Sequence, residues 1–443
     1  MPQAAFHFPT GFLWGTATAS HQVEGGNTNN NWSAWEAEPG RILHGQKAGL
    51  ACDWWSGARW KEDFDRAVET GQNAHRMSIE WSRIQPAPDR WDEDALDYYR
   101  EIVRGMVSRG LTPLITLHHF TDPLWLTERG GWENAETPAL FAAYTSRVVE
   151  ALKEYCTTWI TINEPNVYVV SGYQNGGFPP GKNNLGLAFQ VMANMIRGHA
   201  RAYQIIHKLQ PQARVGFALN YRGFDPAHTW SPFDRFITRF LFQNYNSSFI
   251  NTLVDGRFRF AGRSLSIPEA AKTQDYIGIN YYCGDLVEFR PLRTREMFHR
   301  RYYPTGAILS DTGFIANMPL TFFKALKWAE GFKKPIIITE NGVEDADDDM
   351  RPRYTVEHIH QVWRAVNFNY PIKGYFHWSL VDNFEWERGW TQRFGLWGLD
   401  LETSARIRRP SVDFYAAICK ENGITSEMVQ KYAPEVFSKL FPG

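Results

Sequence analysis

The sequence predicts an α/β fold, a single (β/α)8 barrel with extended loops after its strands, and three observations carry that expectation. Short apolar runs that read as buried parallel strands alternate with amphipathic helical patterns along the chain. The runs number eight, the count a closed parallel barrel requires. Large hydrogen-bonding side chains stand at or just beyond the C-terminal ends of these runs, where the loops of such a barrel converge on one mouth. An open sheet would spread the same residues along an edge.

Taken in order, strands are expected near 13–18, 73–79, 112–117, 158–163, 215–219, 276–279, 336–339 and 374–376. Helical patterns fill the intervals at 95–108, 138–155, 187–209, 320–329 and 356–367. The polar residues at the strand ends are Gln22, Arg76, His119, Asn163 with Glu164, Asn220, Asn280 with Tyr282, Glu340 and Trp378. The chain of 443 residues exceeds the usual single-core size, yet barrels with insertions reach this length as one domain. No repeat, low-complexity tract or Ser/Gly linker divides it, so one domain over 1–443 is expected.

Composition narrows the partners. The 47 basic and 48 acidic side chains nearly cancel, so no overall field favours nucleic acid or an anionic membrane. No run of about 20 apolar residues offers a membrane helix. Eighteen Trp supply flat apolar surfaces of the kind that a sugar ring can stack upon. Cys52, Cys156, Cys283 and Cys419 are scattered, without C-x-x-C spacing, and no secretory signal opens the chain. Reduced thiols in a cytoplasmic protein are expected.

Two strands end on a carboxylate. The run 335–342 is Pro-Ile-Ile-Ile-Thr-Glu-Asn-Gly, and side-chain alternation puts Ile336, Ile338 and Glu340 on one face. The second run, Trp159-Ile160-Thr161-Ile162-Asn163-Glu164-Pro165, has the same form, with Pro165 helping to end the strand. Burying a carboxylate costs several kcal/mol unless it is partnered, so each implies dedicated neighbours. Glu164 closes the fourth strand and Glu340 the seventh, which sets them facing across one mouth, where two opposed carboxylates can cleave a glycosidic bond. Two structural ion pairs with arginine are the bland alternative. His118-His119 is not expected to hold a metal, because adjacent strand residues point to opposite faces. The acidic stretch 344–349 and the Arg-rich stretch 290–301 read as solvent-facing or rim loops.

Asn163-Glu164-Pro165 together with Thr339-Glu340-Asn341-Gly342 resembles the two signatures of the family 1 glycoside hydrolases, the β-glucosidases and their relatives. The likeness continues through 12–25, Arg76-Met77-Ser78-Ile79-Glu80-Trp81-Ser82-Arg83-Ile84, and 378–386, in order and over almost the whole chain. It implies a retaining β-glycosidase with no cofactor, acting on terminal β-glucosides with galactosides or fucosides as side substrates. Glu340 would be the nucleophile and Glu164 the acid/base, with carboxyl groups roughly 5 Å apart. Arg76, Tyr282 and Asn280 would support the nucleophile, Arg76 by holding it ionised, while Glu164 should titrate high. Gln22, His119, Asn163, Trp378, Glu385, Trp386 and Phe394 would hold the glycone, and a carboxylate at Glu385 would repel a 6-phosphate. Tyr173 and Asn220 would lie on the leaving-group side. Two departures stand out: Phe120 occupies a position where Trp is frequent, and 313–319 lacks the usual aromatic-acidic segment. A transglycosylase using the same intermediate and a non-catalytic sugar-binding barrel are the rival readings.

Overall fold

A computed structural model describes residues 4–294 and 296–442. Its centre is a closed barrel of eight parallel strands: β1 (Leu13–Ala17), β2 (Ala74–Ser78), β3 (Thr112–His118), β4 (Thr158–Asn163), β5 (Arg214–Pro226), β6 (Ile277–Phe289), β7 (Ile336–Asn341) and β8 (Ile372–His377). Each pairs with the next, and β8 returns to β1 through Gly374↔Leu13 to His377↔Thr16, which closes the ring. The strands read as apolar runs because both of their faces are covered. In β4, for example, Trp159, Ile160 and Ile162 are all fully buried between barrel interior and surrounding helices.

The helices follow from capped amphipathic segments. Glu93–Val107 starts on an Asp92 cap and Leu185–Leu209 on an Asn184 cap, each side chain accepting backbone N–H groups of the first turn. Thr137–Leu152, Pro319–Glu330 and Arg351–Asn367 complete the expected set. The last begins five residues earlier than its apolar pattern suggests. Asp345 accepts the backbone N–H groups of Met350 and Arg351 at 3.0 and 2.6 Å, and Asp348 pairs with the buried Arg351 guanidinium. The acidic stretch is therefore not a uniformly solvated face: Glu344, Asp345 and Asp348 are buried, while Asp347 and Asp349 are exposed.

The largest difference from the sequence expectation is the length of β5 and β6. Both run well past the barrel mouth as a ribbon paired from Ala218↔Gly278 to Pro226↔Val287, with one register shift between Tyr221 and Gly223. The crossing is tight: a Cβ on Gly223 would lie 2.1 Å from Thr321 Cγ2, and one on Gly284 would lie 3.0 Å from Gly223 Cα. Strand His299–Tyr302 then folds back antiparallel on β6, so the end of the Arg-rich stretch is the return arm of a hairpin rather than an irregular loop. This ribbon forms one wall of the mouth. Among the described residues no helix is long and apolar enough to cross a membrane, and the four cysteines are free and buried.

Candidate active site

The mouth of the barrel holds a cavity of about 370 Å³ into which Glu164 and Glu340 both face. Glu340 arrives through an irregularity, not through plain alternation. The register of β7 shifts between Ile338 and Glu340 against β6 and between Ile338 and Asn341 against β8. Glu164 sits just past β4 with φ 45°, and two other cavity residues, Phe120 (φ 68°) and Trp386 (φ 46°), share this left-handed backbone. Such conformations cost of order 1–3 kcal/mol each in side chains other than glycine, and they persist where surrounding structure over-determines them.

The two carboxylates have opposite company. Arg76, with none of its side chain exposed, donates from Nη1 to Glu340 Oε1 at 2.5 Å and from Nη2 to Asn163 Oδ1 at 2.6 Å. Tyr282 O–H donates to Glu340 Oε2 at 2.6 Å, so a cation and a phenol hold the two oxygens. Glu164 has only neutral donors: Asn280 Nδ2 at 2.8 Å and Asn220 Nδ2 at 2.9 Å, both on Oε1. Burial, followed by the negative charge of Glu340, pushes the Glu164 carboxyl from its ordinary 4.5 up to about 8, against the pull of the two amides. Burial also raises Glu340, and there Arg76 first and Tyr282 next oppose it. Asn280 touches Glu164, Asn163 and Thr339, which makes it a bridge between the two carboxylates rather than a support for Glu340 alone.

Next to this pair lie polar groups with unused capacity. Arg76 fixes Asn163 with its oxygen toward the guanidinium, so Asn163 Nδ2 donates to His119 Nε2 at 3.0 Å and the imidazole proton sits on Nδ1. Burial and the Arg76 charge hold this ring well below its ordinary pKa, hence neutral. His119 Nδ1 and Gln22 Oε1 are both buried without a partner among the described residues, one donor and one acceptor. Gln22 spends its amide nitrogen on Asn383, Phe384 O and, at 3.3 Å, Glu385. Glu385 itself is raised well above the ordinary carboxylate range by burial and then by Glu387, Glu340 and Glu164. Trp378, Trp386 and Phe394 line the same cavity, with the His119 ring near-parallel to both indoles at 6.1 and 5.9 Å. His118 faces elsewhere, toward Asp122 at 3.0 Å and Trp132, as alternation requires.

One expected position lies apart from the others. Tyr173 does not border the cavity: it is buried beside Tyr168 and Glu133, whereas its neighbours Val170, Ser171 and Asn175 reach the mouth. It lies in the wide helical turn Val170–Gln174, where Gly172 and Tyr173 are the buried residues. Several cavity residues had no motif to announce them, namely Arg222, Tyr245, Arg301, Phe314, Glu387 and Arg388. Nearness in sequence is the one signal for two of them, since Asn220, Tyr221 and Arg222, and likewise Glu385, Trp386 and Glu387, line the cavity as consecutive residues.

The family model for Glycosyl hydrolase family 1 matches residues 4–424. The chain belongs to glycosyl hydrolase family 1. This family 1 enzyme, an O-glycosyl hydrolase, is 34% identical over 447 residues to Beta-glucosidase A of Thermotoga maritima, covering 94% of this chain and 98% of the relative. Its fold superposes on the beta-glycosidase from Pyrococcus horikoshii with a TM-score of 0.90 at 34% identity, over 97% of this chain and 98% of that one. A Thermotoga maritima beta-glucosidase in complex with glucoimidazole matches with a TM-score of 0.88 at 32% identity, over 95% and 100% of the two chains. Within the family 1 enzyme, Phe120 places a phenyl ring edge-on to Trp386 at 5.1 Å and so brings no indole donor to the cavity.

Proposed function

We propose that the chain is a cytoplasmic retaining β-glycosidase, one domain over 1–443, that releases terminal non-reducing β-D-glucosyl residues and accepts β-galactosides and β-fucosides as side substrates. The observation that carries this reading is the unequal partnering of two buried carboxylates in one cavity: a guanidinium and a phenol on Glu340, neutral amides on Glu164. Glu340 attacks the anomeric carbon as the bond to the leaving oxygen breaks, and the Glu164 carboxyl proton passes to that oxygen. Glu164, now ionised, takes a proton from water, whose oxygen displaces Glu340 from the anomeric carbon. The same atom thus serves as acid and then as base, which suits a group poised at about 8.

The unused His119 Nδ1 donor, the Gln22 Oε1 acceptor and the Glu385 carboxyl are taken as the partners of the sugar hydroxyls, with Trp378 beneath the ring and Trp386 at its rim. Glu385, close to three further carboxylates, is unfit to meet a phosphate, so unphosphorylated glycosides are the substrates. Four free cysteines support a reducing compartment.

The test is turnover of 4-nitrophenyl β-D-glucoside with the anomer of the first product read by NMR. A β-configured product supports the reading, and an α-configured one overturns it. Glu340→Ala is expected to lose on the order of 10⁴-fold in kcat, with azide restoring turnover to an α-configured glycosyl azide.

A further inference from the structure

The leaving-group side of the cavity carries a charge that the catalytic pair does not use. Tyr245 O–H donates to Asn220 Oδ1 at 3.0 Å, and Asn220 in turn holds Glu164, so Tyr245 marks the side from which the acid acts. Beyond it the cavity wall contains Arg222 and Arg301. Arg222 is spoken for, gripping Asp285 through Nε at 2.5 Å and Nη2 at 2.8 Å. Arg301 comes from the return arm of the hairpin and reaches the same Asp285 only at 3.6 Å, makes no hydrogen bond to any described residue, and leaves 39% of its side chain open. One carboxylate therefore faces two guanidinia. A cleft of about 910 Å³ continues outward from these residues, and among the described residues its wall holds four guanidinia (Arg222, Arg293, Arg300, Arg301) against two carboxylates (Asp285 and Glu296). His299 adds no charge there, because burial keeps it below its ordinary pKa.

We propose that the leaving-group site of this enzyme selects an aglycone carrying a carboxylate, which Arg301 binds as the departing group projects from Glu164 along the β5–β6 ribbon. A planar guanidinium with free donors matches a carboxylate in a two-pronged geometry, and the surplus positive charge of the outer cleft favours the anion before contact. A neutral aglycone would leave the charge of Arg301 to solvent. Glu387, also on the cavity wall, has a cation of its own, since it pairs with Arg388 at 3.4 Å.

This inference rests on the glycosidase reading, and its test separates the two. The ratio of kcat/KM for 3-carboxyphenyl β-D-glucoside to that for its methyl ester is measured in the wild type, Arg301→Gln, Arg301→Lys and Arg290→Gln. Comparing ratios between variants cancels the intrinsic reactivity of the two leaving groups. In Arg301→Gln the ratio is expected to fall roughly fivefold, and Arg301→Lys, which keeps the charge but not the two-pronged fork, is expected to retain only part of it. Arg290 pairs with Glu288 at 2.7 Å and borders neither cavity, so Arg290→Gln removes one positive charge and leaves the ratio as it was. Raising salt from about 0.02 M to about 0.5 M is expected to lower the wild-type ratio, as for a half-exposed pair. Turnover of both glucosides with the same ratio in Arg301→Gln overturns the inference alone. No turnover of either glucoside or of 4-nitrophenyl β-D-glucoside overturns the glycosidase reading and this inference together.

Discussion

The floor of the cavity and its leaving-group wall are built on opposite terms. On the floor, Arg76, Asn163, Asn280 and Glu340 are buried, and Arg76 alone contacts Thr116, Asn163, Thr339 and Glu340. On the wall, Arg222 and Tyr245 are half-buried and Arg301 is exposed, and they come from a ribbon and a helix junction outside the barrel. A buried network fixes charge because every member is held by several others, and removing one leaves its partners without compensation. A half-exposed wall can change its side chains at little cost to the fold. The comparison predicts that substitutions on the floor abolish both chemistry and stability, and that those on the wall redirect specificity.

The strongest way to break that contrast is Arg76→Met. It removes the cation from Glu340 and the bond to Asn163, so both the ionised nucleophile and the His119 tautomer lose their cause. A loss of at least 10³-fold in kcat/KM and of about 3–5 kcal/mol in stability is expected, read by aryl glucoside turnover and urea unfolding. Retention of either property would mean that the floor is not a unit.

Glu164→Gln sharpens the comparison because the acid stands between the two regions. Loss should be large for poor leaving groups and small for 4-nitrophenolate or better, which need little protonation. In the wild type, kcat/KM is expected to fall as pH rises through about 8, when the Glu164 proton is lost, and this basic limb should vanish in the variant. Stability follows the same sign. A carboxyl whose folded pKa lies above its unfolded value of about 4.5 contributes its full share only below that value, and the share is lost as pH rises to about 8. The wild type should therefore weaken relative to Glu164→Gln between about pH 5 and pH 8, measured by denaturant midpoints across that interval.

Asymmetry of this kind also explains what the sequence could tell. Barrel strands are legible because burial on both faces forces apolar runs, and Glu164 and Glu340 are legible because each interrupts such a run at its end. The catalytic floor follows from those two breaks and from the family motifs that surround them. The β5–β6 ribbon is not legible in the same way. Beyond Leu219 and Ile279 its residues mix polar, glycine and aromatic types, since one face meets the solvent-filled mouth, and strand pairing there depends on Gly223 lying against Gly284 across 61 residues of sequence. Arg301 enters only because His299–Tyr302 pairs with β6, a register that no local pattern encodes. The acidic stretch 344–349 misleads for a related reason, because Asp345 and Asp348 are spent on the start of the following helix and on Arg351.

Tyr173→Phe gives the smallest effect and the most discriminating null. If the residue bordered the leaving group, losing its hydroxyl would alter kcat/KM unequally across aryl glucosides. Its place beside Tyr168 and Glu133, with its hydroxyl pushed far above the ordinary pKa by burial and then by the charges of Glu133 and Asp122, makes it a packing residue with a buried hydrogen bond. The variant should lose about 1 kcal/mol of stability, the value of one such bond, and less than about twofold in kcat/KM on every leaving group tested. A leaving-group-dependent change larger than that would move Tyr173 back to the wall, and would imply that the wide turn Val170–Gln174 opens to the cavity when substrate binds.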